Sequence, residues 1–218
     1  MSIRVLLIDD HVVVRDGLTA LLSIQADFEV VGSCGDGIEG LRLVHELKPD
    51  VVLLDLTLPG LNGIEVARRI RTTAPGSRVC ALTMHSESRF VRDMVDAGAA
   101  GYVVKSAPFG SVIDAIRALA SGSSFFSDEV RDALSSGGAA GVGPNLIAGL
   151  SPRERQVLQL IAEGASSKRA ASALGVTKKT IDFHRQSLMK KLNLHSVAEL
   201  TKFAVRHGLT PVDHSGRD

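Results

Sequence analysis

Tryptophan is absent from this chain, tyrosine occurs once, and aromatic residues together make up 4%. The core must therefore be built from aliphatic side chains. Cysteine is nearly missing as well: Cys34 and Cys80 have no CxxC spacing and no Cys/His cluster around them. That excludes a disulfide scaffold and a zinc finger, and leaves two small buried side chains as the expectation. No apolar run approaches the ~18 residues of a membrane span, and Met1–Asp10 lacks the charged-then-apolar plan of a signal peptide. The expectation is a soluble, cytoplasmic protein with no membrane partner.

Neither sign of charge dominates, at a net +1, but the balance hides a division. Residues 1–121 hold 12 Lys/Arg against 15 Asp/Glu, whereas residues 149–218 hold 12 against 6. An acidic front (net −3) joined to a basic back (net +6) implies two jobs, the second directed at a polyanion. The 218 residues are long enough for two small domains, each with its own core.

The front half repeats one phrase: a short aliphatic run, a turn, and a stretch of helical period. The runs are Ile3–Ile8, Phe28–Val31, Val51–Leu54, Val79–Leu82 and Tyr102–Val104. They lack polar alternation, as parallel strands buried on both faces do. Helical patterns lie near 12–24, 38–47, 64–73, 88–97 and 111–120. This alternation predicts a doubly wound α/β fold with a five-stranded parallel sheet, its ligand beyond the carboxyl ends of the strands. Residues 122–147 turn to Ser, Gly and Ala and read as a linker with one short helix near 127–135, flexible over Ser135–Pro144. From 148 to 212 the pattern is helical. Ser151 with Glu154 and Ser196 with Glu199 form two capping boxes, Thr177 caps a helix between them, and Gly164 and Gly175 end others. Four helices with a tight turn between the second and third predict a helix-turn-helix.

The strand ends carry chemistry. Asp9 and Asp10 follow the first run, Asp55 the third, Thr83 the fourth and Lys105 the fifth. In a parallel sheet all gather on one rim. Two carboxylates ~5 Å apart at an effective dielectric of ~20 repel by about 3 kcal/mol. A divalent cation relieves this, and an all-oxygen ligand set favours Mg²⁺. A hydroxyl and an ammonium beside it suit a phosphoryl group.

The motifs LLIDDHVVVRDGL, VVLLDLTLPGLNG, VCALTMH and AGAAGYVVK resemble the receiver domain of bacterial two-component response regulators over about residues 3–121. The resemblance implies Asp55 as the phosphate acceptor. It implies Mg²⁺ held by Asp9, Asp10, Asp55 and the Thr57 backbone carbonyl, with Thr83 and Lys105 on the phosphoryl oxygens and Tyr102 as an aromatic switch. The donor would be a sensor histidine kinase, with Thr57 and His85 flanking the site. Two rival readings exist. Gly35-Asp36-Gly37-Ile38-Glu39-Gly40 spells GxGxxG between a strand and a helix, with Asp55 twenty residues beyond, as in a dinucleotide fingerprint. It sits in the second unit, however, and leaves Asp9, Asp10, Thr83 and Lys105 unexplained. The other rival is a magnesium-dependent phosphotransfer or phosphatase enzyme with a helical accessory domain, but the D-x-D such enzymes carry is interrupted by Thr57.

The segment LSPRERQVLQLIAEGASSKRAASALGVTKKTIDFHRQSLMKKLNLHSVAEL resembles the LuxR-type DNA-binding domain of NarL/FixJ-type response regulators. The resemblance places Asp182, Phe183 and Gln186 at base edges in the major groove of double-stranded promoter DNA. Lys179, Thr180, Arg185 and Lys190 would hold phosphates, with His184 among the basic residues of the same helix. Ala170 stands where a larger aliphatic is common, and Asp182 can accept from cytosine N4 or repel phosphates. Specific binding implies a homodimer formed on phosphorylation. The apolar stripe Val197, Leu200 and Ala204 on the fourth helix is the expected dimer face, unless it packs on the first helix instead. Together these readings describe a DNA-binding transcription regulator rather than an enzyme.

Overall fold

The aliphatic runs become strands. In the computed structural model, which describes residues 2–136, 147 and 149–210, the chain divides into two units, 1–140 and 141–218. In the first unit β1 (Ile3–Ile8), β2 (Phe28–Cys34), β3 (Val51–Leu54), β4 (Arg78–Thr83), β5 (Gly101–Val104) and β6 (Phe125–Phe126) form one parallel sheet. Its order is β2-β1-β3-β4-β5-β6. Between and after the strands run α1 (Val12–Ser23), α2 (Gly37–Leu47), α3 (Gly63–Thr73), α4 (Ser88–Ala97), α5 (Phe109–Ala120) and α6 (Asp128–Ser136). Successive strand residues point to opposite faces, so each face has its own core. Leu6, Ile8, Val52 and Leu54 pack with Val66, Ile70, Val91 and Met94 of α3 and α4. Val5, Leu7, Val51 and Leu53 pack with Leu22 of α1 and Ile116 and Leu119 of α5. Helices on both faces explain why β3 is four consecutive buried aliphatics with no alternation.

The sheet has one strand more than the five expected. Phe125–Phe126 pairs in parallel with Gly101–Tyr102, and Val130 of α6 is fully enclosed in the core on the α3–α4 side. Residues 122–136 therefore belong to the sheet unit rather than to a linker. Two residues are too short a run to read as a strand among serines and glycines. What holds them is the open edge of β5, which β6 and α6 cover. The tether expected over 135–144 lies, from 137 onward, outside the described residues.

The second unit is built from α7 (Pro152–Ala162), α8 (Ser167–Leu174), α9 (Lys178–Leu192) and α10 (Val197–Arg206). Ser151, Thr177 and Ser196 cap their helices as expected, and Ser166 caps α8 as well: each side chain accepts from a backbone N–H group of the first turn. The Ser151–Glu154 capping box is complete. At α10 the Glu199 carboxylate instead accepts from His195 N at 2.6 Å. Gly175 ends α8 with φ 63°, a left-handed turn that glycine adopts without strain, and so sets the sharp bend into α9. Val157, Leu158, Ala170, Ile181, Leu188, Leu200 and Ala204 form the core.

That core corrects the dimer face. Leu200 and Ala204 are fully buried, within the packing of α10 on α7, and Val197 alone of the stripe is exposed. In this small four-helix core, Leu200 and Ala204 are the residues that α10 buries completely. Ala170 is also fully buried, so the smaller side chain leaves no opening to solvent.

Candidate functional site

Three backbone hydrogen bonds build the rim of the sheet. Asp9 N donates to Cys34 O at 3.0 Å, Asp55 N to Ile8 O at 2.8 Å, and Lys105 N to Thr83 O at 2.8 Å. Each charged residue is thus the first one past its strand, tied to the end of the neighbouring strand. The site lies where the strand order reverses between β1 and β3, the usual ligand crevice of a doubly wound sheet.

The side chains converge there. Lys105 Nζ lies 2.8 Å from Asp55 Oδ2, to which it donates, and 2.7 Å from Asp9 Oδ2. The Asp9 contact is a close ion pair, and among the described residues no donor is aligned on the buried Asp9 Oδ2. Leu56 N donates to Asp55 Oδ1 at 2.7 Å. Carboxylate or imidazole atoms of Asp9, Asp10, His11 and Asp55 all lie within 4.8 Å of one another. Burial pushes the Asp55 carboxyl up from its ordinary value, opposed by Lys105 and reinforced by the charge of Asp9. Burial would lower Lys105, but the two carboxylates outweigh it and raise the ammonium, which stays charged.

Around this centre, Thr83 is buried and its Oγ1 is 3.4 Å from His85 N. Thr57 Oγ1 meets His85 Nε2 at 3.4 Å across the mouth. Tyr102 is fully buried, its hydroxyl donating to His85 O at 2.7 Å. Burial, with the charges of Glu87 and Asp55, raises its phenol well above the ordinary range. The start of α3 comes so close that a Cβ on Gly63 would lie 2.1 Å from Asp55 O. Only glycine fits there.

In the helical unit, α9 presents Lys178, Lys179, Phe183, Gln186, Lys190 and Lys191 to solvent, with Ile181 and Leu188 inward. Phe183 is 66% exposed, an unusual position for an aromatic ring.

Residues 5–117 match the response regulator receiver domain, and residues 148–204 match the bacterial regulatory proteins of the luxR family. The transcriptional regulatory protein MctR of Rhizobium johnstonii is 39% identical over 95% of both chains. The chain belongs to the two-component response regulators. A LuxR-family response regulator from Aurantimonas sp. SI85-9A1 superposes with TM-score 0.60 at 37% identity, covering 62% of this chain and 97% of that one. RcsB of Salmonella typhimurium gives TM-score 0.60 at 27% identity over 94% of this chain and 99% of its own. The two-domain regulator is a transcription regulator, not an enzyme.

In this response regulator Asp9, Asp10, Asp55, Thr57, Thr83, Tyr102 and Lys105, all named from sequence, come to one rim. Two glycines of the GxGxxG, Gly37 and Gly40, serve packing instead. A Cβ on Gly37 would strike Leu61 O at 2.3 Å and one on Gly40 would crowd Ile8, while Asp36 caps α2 through Ile38 N and Glu39 N. Three further residues contribute to the site. His11 Nδ1 sits 2.7 Å from Asp10 Oδ1 and 3.1 Å from Asp9 Oδ1. Arg15 Nη1 donates to the Asp9 carbonyl. Gly63 admits the α3 start. His11 directly follows the acidic pair, which was the available signal; Arg15 and Gly63 gain their roles only through the packing of α1 and α3.

Proposed function

We propose that the regulator is switched by transfer of a phosphoryl group from a sensor histidine kinase to Asp55, and that the modified protein binds promoter DNA as a dimer. The observation that carries this is the buried Asp55 carboxylate with Leu56 N on one oxygen and Lys105 Nζ on the other. Leu56 N–H fixes Oδ1, and Oδ2, paired with the Lys105 ammonium, is the attacking oxygen. The P–N bond to the donor histidine breaks as the acyl phosphate O–P bond forms, and the imidazole, protonated on its other ring nitrogen, leaves neutral. Lys105 then pairs with a phosphoryl oxygen, and the Thr83 hydroxyl donates to another. Positioning and charge do the work in such transfers.

Asp9, Asp10, Asp55 and the Thr57 carbonyl suit Mg²⁺, since they offer hard oxygens, and the buried Asp9 Oδ2 has no aligned donor among the described residues. Bound there, Mg²⁺ would neutralise charge on the transferring group. Thr57 and His85, in contact across the mouth, would restrict water and so slow hydrolysis of the acyl phosphate. On DNA, the exposed face of α9 fits the major groove, with Lys179 and Lys190 toward phosphates and Phe183 and Gln186 toward base edges. Thr180, His184 and Arg185 flank that face. RcsB has been solved as two dimers bound to two DNAs, which supports pairing on DNA here. With Leu200 and Ala204 enclosed, any α10 contact between copies would use its outer face, where Val197 lies.

Asp55→Asn tests the acceptor. The near-isosteric amide is a poor nucleophile, so incorporation from a small acyl phosphate donor, followed by intact-mass measurement, should vanish while the circular dichroism of the chain is unchanged. Incorporation at the wild-type level would refute the assignment.

A further inference from the structure

Asp182 is the single acidic residue of α9, on a helix that also carries Lys178, Lys179, Arg185, Lys190 and Lys191. An anion on a face that meets DNA costs affinity through repulsion unless it does something else. Its carboxylate is already engaged. Ser167 Oγ, at the first residue of α8, donates to Asp182 Oδ1 at 2.8 Å. Arg185 Nη2 lies 3.7 Å from the same oxygen, one turn along α9. Both charged side chains are about one-third exposed, at 34% for Asp182 and 37% for Arg185. The pair is thus shielded enough to hold its geometry yet open at its outer edge.

We infer that Asp182 is a positioning residue for DNA recognition: it reads no base itself, but ties α9 to the start of α8 and aims Arg185 at the DNA backbone. A free arginine side chain samples many rotamers, and ordering it before contact removes part of the entropic penalty of binding. A salt bridge on a helix surface gains little stability, so the consequence is in binding rather than folding. This inference rests on the DNA-binding reading above.

The sign of one substitution separates the possibilities. Asp182→Asn keeps an oxygen that accepts from Ser167 but removes the charge that holds Arg185. If Asp182 only repels phosphates, its loss must tighten binding to every duplex. If it positions Arg185, its loss weakens binding although a negative charge has gone. The test uses the full chain treated with a small acyl phosphate donor, and a duplex pool with a randomised central region, titrated at several salt concentrations. Asp182→Asn should bind roughly three- to tenfold more weakly than wild type, with its unfolding midpoint unchanged. Its salt slope should flatten by up to about 1, as loss of one phosphate contact does. Arg185→Ala should lose a similar factor, and the double variant should lose little more, because both changes remove one unit. Tighter or equal binding by Asp182→Asn overturns the inference, as do losses that multiply in the double variant. A changed preference at one base position in Asp182→Asn, retained in the Arg185→Ala background, also overturns it and makes Asp182 a direct reader. Failure of the wild type to bind any duplex would instead refute the DNA-binding reading itself.

Discussion

Glu154 shows how one buried carboxylate can hold a small helical unit together. It sits at the third position of α7, 4% exposed, and accepts from Ser151 N at 2.9 Å, Ser187 Oγ at 3.0 Å and Lys191 Nζ at 2.9 Å. Burial works to raise this carboxyl, yet Lys191, Ser151 and Ser187 together outweigh it and hold the pKa at about 2, against an ordinary 4.5. A depressed pKa stabilises the fold fully above pH ~4.5 and loses that contribution as pH falls toward 2. The full gap corresponds to about 3 kcal/mol. Because the Lys191 side chain is 48% exposed, solvent screening reduces this to on the order of 1–2 kcal/mol. Glu154→Gln should therefore destabilise α7 by that amount at neutral pH and flatten its acid dependence between about pH 4.5 and 2. Hydrogen exchange at the α7 amides reads both effects; a deficit that stays constant down to pH 3 would mean packing, not charge, is responsible. The capping box was legible from Ser151 and Glu154 alone. The link to Lys191 was not, because it spans 37 residues and depends on how α9 crosses α7.

At the scale of elements, the strand–helix alternation and the residue that ends each strand were readable because the physics is local. A buried parallel strand must be apolar on both faces, and the first polar residue after it falls on the rim. Asp9, Asp55 and Lys105 are such residues, and their backbone N–H groups continue the ladder by one bond. Elements whose stability comes from a neighbour were harder to read. β6 is two residues long and exists because β5 offers an edge, and α6 follows it onto the same core. The α10 stripe was readable as apolar, but sequence periodicity does not say which partner covers it. If β6 and α6 are integral, Val130→Ala opens a cavity in the sheet unit and should lower its stability by about 2 kcal/mol. Denaturant unfolding followed by hydrogen exchange in β5 and α4 measures this. An effect below about 0.5 kcal/mol would mean that α6 is an ornament rather than part of the core.

Across the whole molecule, the uneven charge follows the two kinds of chemistry. The sheet unit gathers carboxylates around one lysine, and the helical unit spreads lysines along an exposed helix. The two can therefore be separated by experiment. Lys179→Ala should weaken binding to all duplexes and lower the salt slope by about 1, while the rate of phosphorylation by a small acyl phosphate stays at the wild-type value. A change in that rate would mean the substitution reaches beyond the helix face.

The chain has no tryptophan and one tyrosine, and that tyrosine is the enclosed Tyr102, whose hydroxyl donates to the His85 carbonyl at 2.7 Å. Tyrosine emission from the entire protein therefore comes from a single fluorophore, whose phenol feels the charge of Asp55, and the helical unit is dark in that band. Tyrosine emission is quenched or released by changes in the hydrogen bond of the phenol and in nearby charge. Adding an acyl phosphate donor should thus produce an intensity change that follows first-order loading of Asp55 and is absent in Asp55→Asn. On this reading no reporter dye is needed to follow modification of the chain.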